Sequence, residues 1–414
     1  MASKYQAPRG TFDVLPEAAP ARDRIESVAA AILSRAGYER IATPAFEDTD
    51  LFERGVGQST DIVRKEMFTF EDKGGRSLTL RPEGTASVCR AYLEHGMQKL
   101  AQPVKLHYLG PFFRHERPQA GRYRQFHQLG AECIGSDSPL ADAEVIMLLA
   151  DLLAELGVPG VELRLGSLGS FEARRAYLED LKAHLHAHEG ELSKDVRERI
   201  DLNPLRAFDS DDEGTRGVMA SAPMIVERLE GGDAEHFAEV RALLDASGIA
   251  YLIDPTLVRG LDYYTRTIFS FVCDRLGAQS EIGGGGRYDG LIEQLGGAPT
   301  PAVGFAAGIE RILLALDEEV AGEGRDAFVA VADPEQRQRA MALVAELRHA
   351  GVSAELDLAG RSFKSQLKHA NRIGARRVLI LEADGGAQLR DMESGERRAV
   401  DPGNLVGEMT GGEA

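Results

Sequence analysis

The stretch GPFFRHERPQAGRYRQFHQLGAE, residues 110–132, decides the fold, because it reads as two β-strands joined by an arginine-bearing turn at Pro118–Gly121. Arg114, Arg117, Arg122 and Arg124 fall within eleven residues. Guanidinium groups stay charged and grip phosphate oxygens through paired N–H donors, so the hairpin is a candidate polyanion site. Glu116 stands beside the arginines, and Phe126 offers a ring on which a base can stack. A plain surface hairpin would account for one such arginine more easily than for four.

Outward from the hairpin, Met67–Glu71, Ser77–Arg81, Lys105–Phe113, Phe126–Ile134 and Val161–Leu165 are short, β-rich and separated by turn residues. Few long helices intervene, which favours an antiparallel sheet over βαβ repeats. Before them, apolar Ile25, Val28, Ala29, Ile32 and Leu33 mark a helix from about Ala21 to Ala36, closed by Gly37, and Arg40 to Phe46 reads as a strand. Residues 170–250 turn charged and helical, with an acidic run DSDDEG and with His184, His186 and His188 in KAHLHAHEG. His184 and His188 are four apart, but their charged neighbours and lack of a carboxylate partner favour a solvated face over a metal site. Strand character returns at Tyr264–Cys273, then a glycine cluster, then a helix from Gly304 to Leu316. The polar linker LDEEVAGEGRD, around residues 316–326, suits a domain boundary. Beyond it, AFVAVAD, a helix over 335–350, VSAELDL, a helix over 362–373 and RRVLILE alternate as a small α/β domain with a largely parallel sheet. The expected organisation is an α+β core with a mainly antiparallel sheet flanked by helices (1–169 and 251–320), a helical insertion (170–250) and a C-terminal α/β domain (326–414).

Four more clusters carry chemistry. LVRGLDYYTRTIFSF, residues 257–271, puts Arg259, Asp262, Tyr263 and Tyr264 before an apolar strand, either around a small polar ligand or as tyrosines covering a core edge. EIGGGGRYDGL brings four consecutive glycines, Gly283 to Gly286; it matches neither a P-loop nor a dinucleotide fingerprint and reads most simply as a turn. GFAAGIER places Arg311 on a helix behind small residues, either where a nucleotide can approach or as an ordinary surface arginine. TLRPEGTAS puts Glu83 and Thr85 after a strand, as an ammonium site or as an ordinary helix start.

The net charge of −18 works against a nucleic-acid partner at long range, but residues 325–377 carry ten Lys/Arg against six Asp/Glu, a local net of +4. Lys364, Lys368, Arg372 and Arg376 recur every four residues, a basic stripe on the expected helix and its continuation. Hydrophobic residues are 43% and charged residues 28% of the chain, as in soluble globular proteins, and no stretch is long and apolar enough to span a bilayer. The start lacks a secretory pattern, which points to the cytoplasm. Cys89, Cys133 and Cys273 lie far apart without a CxxC pair, so neither structural zinc nor a disulfide framework is expected, and the three read as buried free thiols.

In this order the segments resemble class II aminoacyl-tRNA synthetases, and the histidyl-tRNA synthetase family in particular, over essentially the whole chain. YERIATPAFE, with Pro44, resembles the first class motif, at the dimer interface; FRHERPQAGRYRQFHQLG resembles the second and GFAAGIER the third. VRGLDYY and GGGGRYDGL resemble the two signatures peculiar to the histidine enzymes. The resemblance implies ATP, with Mg2+ as its substrate complex, L-histidine and tRNA(His) as substrates, a homodimer, and an anticodon-binding C-terminal domain. It assigns ATP to Arg114, Glu116, Arg122, Phe126 and Arg311. Histidine falls to Glu83, Thr85, Gln128, Glu132, Arg259, Tyr263, Tyr264 and Tyr288. Arg259 and Arg114 would act at the reacting phosphate, and Arg117 and Gln119 would meet the acceptor end of the RNA, with the basic stripe near its backbone. The rival is a catalytically silent, synthetase-like regulatory subunit of histidine biosynthesis. Such a protein is expected to lose motif arginines or the C-terminal domain, and here Arg114, Arg122, Arg311 and residues 326–414 are all present. An amide ligase of the same class would lack the two histidine signatures.

Overall fold

Strands Val104–Phe113 and Gln125–Ile134 pair antiparallel along their full length, with Phe112 opposite Phe126 and Leu106 opposite Glu132. They are the heart of an eight-stranded sheet in a computed structural model that describes residues 5–57, 60–277, 280–316 and 324–410. From edge to edge the sheet runs Glu39–Arg40, Val104–Phe113, Gln125–Ile134, Ala302–Gly308, Glu281–Arg287, Thr265–Cys273, Val161–Ser167 and Leu252–Ile253. The inner pairs are antiparallel, and only the short edge strands pair parallel. Because side chains alternate across a sheet, each strand supplies two faces. Leu129, Ala131, Cys133, Val303, Phe305 and Ala307 face a helical layer, burying themselves against Ala19–Arg35, Pro139–Glu155, Gly231–Ala246 and Ile309–Leu316. The other face carries Tyr108, Phe112, Tyr264 and Ile268.

Three readings of the sequence are corrected here. Arg40 to Phe46 is not one strand: pairing ends at Arg40 and resumes at Phe46–Asp48 in a separate three-stranded sheet. Between them Pro44 has no N–H to donate, and the Arg81 guanidinium takes the Thr43 and Pro44 carbonyls that a ladder would need. Gly304 does not start the helix: Ala302–Gly308 is a central strand, and the helix begins at Ile309. Nor is Gly283 to Gly286 a turn, since Glu281–Arg287 is the strand between Thr265–Cys273 and Ala302–Gly308. A Cβ on Gly285 would overlap the Gly304 carbonyl oxygen, so close backbone approach, not bending, requires the glycine.

Between the strands Val161–Ser167 and Leu252–Ile253 lie helices Phe171–Ala187, Lys194–Arg197, Glu213–Met219 and Gly231–Ala246. Tyr177, Leu181, Leu185, Val196, Leu205, Val218 and Ile225 form a small core of their own, whereas Phe237, Val240 and Leu244 of the last helix join the main core. His184 hydrogen-bonds the Val218 carbonyl at 3.0 Å and His188 the His184 carbonyl at 2.9 Å, so both rings are tied to the main chain and only partly solvated. Cys89, Cys133 and Cys273 are buried free thiols.

The chain divides into two compact units, 1–320 and 321–414. Most of the expected linker lies outside the described residues. In the second unit a five-stranded sheet runs Ala354–Leu356, Ala327–Val331, Arg377–Leu381, Ala387–Asp391, Arg397–Ala399. Its first three strands are parallel and its last two antiparallel, so it is mixed where the sequence suggested largely parallel. The reason is the short connection after Leu381 with Gly385 at φ +87°, since a tight turn can only return the chain antiparallel. Leu343, Val344 and Leu347 of Arg337–His349 cover one face, and Ala370, with Phe363 and Leu367, covers the other. Lys364, Lys368 and Arg372 lie exposed on the outer side of the helix Phe363–Arg372. Arg376 is a correction: it lies past the helix, beyond Gly374 at φ +67°, and pairs with Asp326 at 3.1 Å.

Candidate active site

Alternation along Gln125–Ile134 puts Phe126, Gln128, Gly130 and Glu132 on the face away from the helical layer, with Gly308, Ala306 and Gly304 beside the last three. Next in the sheet, Gly284 and Gly286 sit opposite Ala306 and Gly304. Three neighbouring strands thus carry small residues on one face, and the missing side chains leave a cavity of about 650 Å³, within the usual range for small-molecule sites. Gly130 has its own reason: a Cβ there would overlap the Tyr108 ring.

Arg114, Glu116, Arg122, Phe126, Gln128, Glu83, Thr85, Arg259, Tyr263, Tyr264, Tyr288 and Arg311 all line this cavity, drawn together from five stretches of sequence. Arg114 donates Nε to the Pro82 carbonyl at 2.9 Å and lies 5.4 Å over the Phe126 ring. Glu116 stands 3.2 Å from Arg122 and 3.9 Å from Arg114, holding two guanidiniums in place. Arg259 pairs with Glu281 at 2.7 Å and lies 5.9 Å from the centre of the Tyr264 ring; a Cβ on Gly284 would come within 3.1 Å of its Nη1. Arg311 donates Nε to the main-chain carbonyl of the same Glu281.

Glu83 serves the backbone as well as the cavity: its two oxygens accept from Thr85 N and Ala86 N, each at 2.8 Å, at the start of helix Thr85–Glu94. Gln128 Oε1 is buried without a hydrogen-bond partner. Glu132 alone among the small-molecule candidates is not part of the wall. It is fully buried beneath it, accepting from Thr85 Oγ1 at 2.7 Å, Tyr288 OH at 2.6 Å and Tyr108 OH at 3.4 Å. Burial first, with the nearby Glu83 carboxylate, pushes the Glu132 carboxyl up to about 8, against the pull of those three hydroxyls. Tyr263 packs on Tyr264 at 4.7 Å and on Tyr288 at 5.6 Å between ring centres, building an aromatic wall over this carboxyl. Arg117 and Gln119 do not line the cavity; they are exposed at the hairpin tip, where Gln119 bridges to Arg122.

Sequence reasoning passed over Tyr108, Glu281 and the insertion residues Arg206, Asp209 and Asp211, all on the cavity wall. The acidic run DSDDEG was visible, but nothing in its composition brings it to a site distant in sequence. Glu281 opens the glycine strand, and a single carboxylate beside four glycines carries no local signal of a site. Glu310, also on the wall, accepts from His127 N and Arg22 Nη2, each at 2.9 Å, tying the third motif to the hairpin and to the first helix. Among the described residues no cluster of three or more His, Cys, Asp or Glu side chains is placed to hold a metal ion.

An antiparallel sheet with an arginine-walled cavity on its open face, followed by a separate α/β unit, defines a class II aminoacyl-tRNA synthetase architecture. The chain belongs to the histidyl-tRNA synthetase family: the family model described as histidyl-tRNA synthetase matches residues 10–312, and an anticodon-binding-domain model matches 326–411. It is 48% identical over 412 residues to a histidine–tRNA ligase of Halothermothrix orenii, covering 98% of each chain. Among solved structures, an apo S. aureus histidyl-tRNA synthetase matches with a TM-score of 0.82 at 36% identity, over 98% of this chain and 99% of that one. A Bacillus halodurans structure titled as an ATP phosphoribosyltransferase regulatory subunit/histidyl-tRNA synthetase shares the fold, with a TM-score of 0.68 at 24% identity over 92% and 99% of the two chains.

Proposed function

We propose that the protein joins L-histidine to tRNA(His) in two steps at this cavity, with ATP consumed to AMP and pyrophosphate. The observation that carries the reading is the convergence of Arg114, Arg259 and Arg311 on one cavity that Thr85, Gln128 and three tyrosines also line, with a carboxyl buried behind Thr85 and Tyr288. The histidine carboxylate is already ionised at neutral pH and attacks the α-phosphorus of ATP, so no protein base is needed. Two anions must meet, and fixed positive charge is the useful catalyst. Arg114 and Arg259 hold the reacting groups in line and stabilise the charge that develops as pyrophosphate leaves. Mg2+ enters with the nucleotide phosphates. In the second step a terminal ribose hydroxyl of the RNA attacks the adenylate carbonyl, and AMP departs.

Selectivity rests on polar groups that a competitor would leave unpaired. Tyr263, Tyr264 and Tyr288 on the wall, with Glu132 buried behind them, give an imidazole a polar surround that an apolar side chain cannot use, which can yield discrimination on the order of 10⁴–10⁵ without editing. Arg117 and Gln119 at the hairpin tip meet the acceptor end, and Lys364, Lys368 and Arg372 approach the RNA backbone. The setting is the cytoplasm and the working form a homodimer joined through the first motif; no helix among the described residues is long and apolar enough to cross a membrane.

The test is exchange of labelled pyrophosphate into ATP across the twenty amino acids, then charging of total transfer RNA in the same tubes. Exchange with histidine alone, followed by label on the RNA, is the expected result. No exchange from folded protein would favour the silent regulatory subunit instead.

A further inference from the structure

Glu281 touches two of the arginines that the family resemblance places at the nucleotide, Arg259 and Arg311, through different atoms. Its carboxylate pairs with Arg259 at 2.7 Å, and its main-chain carbonyl accepts from Arg311 Nε. The two ends of the ion pair differ in surroundings: the Arg259 side chain is 12% exposed and that of Glu281 is 45% exposed. A guanidinium so enclosed is strongly disfavoured without an anionic partner, so in the empty cavity Glu281 determines where Arg259 points. Only part of the guanidinium fork is used. Arg259 Nε is buried with no hydrogen-bond partner, so the bond from Nη1 to Glu281 leaves donor capacity of the guanidinium unspent. Gly284, three residues further along the same strand, leaves the gap in which the guanidinium lies. Strand Glu281–Arg287 thus supplies both the tether and the space.

We propose that Glu281 is a positioning residue that presets Arg259 for the α-phosphate before substrate arrives. This rests on the synthetase reading of the site. Glu281 is itself an anion beside a polyanion, so it contributes orientation and not affinity. Removing its charge leaves Arg259 free to meet ATP in unproductive geometries, and the loss falls on turnover instead of ground-state binding.

The experiment compares wild type, Glu281→Gln, Glu281→Asp, Arg259→Ala and the Glu281→Gln/Arg259→Ala double variant in histidine-dependent pyrophosphate exchange. ATP binding to each folded protein is measured in parallel by calorimetry, with thermal midpoints as the folding control. The expected result is a fall in kcat of about ten-fold or more for Glu281→Gln with KM for ATP unchanged or lower, partial retention of kcat in Glu281→Asp, and no added loss in the double variant over Arg259→Ala alone. ATP binds Glu281→Gln at least as tightly as wild type. The proposal is overturned if kcat of Glu281→Gln stays within about two-fold of wild type, or if the two losses multiply in the double variant. It is equally overturned if Glu281→Gln weakens ATP binding as much as Arg259→Ala does, a comparison that holds whether or not wild type exchanges. Absence of exchange in wild type would count against the synthetase reading itself, and the calorimetric comparison would then decide the Glu281 question alone.

Discussion

Glu132 holds a proton in the folded protein over a range where the unfolded chain has released it. Its carboxyl rises from an ordinary 4.5 to about 8, so between those values the native state binds more protons than the unfolded state. The stability slope with pH is therefore negative: this contribution is complete below 4.5 and is lost as pH climbs towards 8. Glu132→Gln, permanently neutral, escapes that loss. Urea denaturation at pH 5 and pH 8 is expected to show wild type losing, relative to the variant, on the order of a few kcal/mol; parallel curves would mean that the carboxyl is already ionised in the fold. Gln128 lies on the same strand face, and its buried Oε1 has no partner in the empty cavity. A bound ammonium would satisfy it, and losing a hydrogen bond to a charged group typically costs about 1.5–3 kcal/mol. Gln128→Ala should therefore raise KM for histidine by about ten- to a hundred-fold in the exchange assay; an unchanged KM would take Gln128 out of the amino-acid site.

The strand Glu281–Arg287 ends in a charge that fixes it to the helix behind the sheet. Arg287 is fully buried and bonds the Asp142 carboxylate in the first turn of Pro139–Glu155, with Ser136 O at 2.8 Å and Asp289 Oδ1 at 3.1 Å also in reach. Removing one partner of such a pair strands the other, so Arg287→Met should cost about 3–5 kcal/mol, and adding Asp142→Leu should restore part of it. Chemical denaturation of the single and double variants checks this, and strictly additive losses would contradict it. The same strand shows where reading the sequence succeeds and fails. The hairpin of residues 110–132 was legible because alternation, a turn and arginines coincide in one short window. The glycine strand was not: β-propensity is low, and what holds Gly283 to Gly286 extended is pairing with Thr265–Cys273 on one side and Ala302–Gly308 on the other, which no local window contains. Gly304 to Gly308 reads as helix in the sequence for a related reason, since small residues before an apolar run suit a helix start until a neighbouring strand claims them. The cavity residues were recoverable from motifs because each motif is local. Glu281 and the Asp209 segment were not, because only the folded chain brings them to the wall.

At the scale of the molecule, acidity overall and basicity in one segment make opposite demands on an RNA partner. The outer face of Phe363–Arg372 carries Lys364, Lys368 and Arg372, exposed. If these cations meet phosphates, binding releases counterions. The logarithm of KM for transfer RNA should then rise with the logarithm of salt, with the slope reduced by about one for each cation replaced by Ala. Charging assays from low to moderate salt measure this, and an unaltered slope in the triple variant would place the RNA elsewhere. The second unit differs from the first in one more respect. All three thiols lie in residues 1–320, each buried: one on the helix Thr85–Glu94, two on central strands of the sheet. A thiol reagent added to the native protein can therefore react only when the first unit opens, and it is blind to opening of the second. The molecule carries its own clock for breathing of the catalytic unit, readable by mass spectrometry without any engineered label.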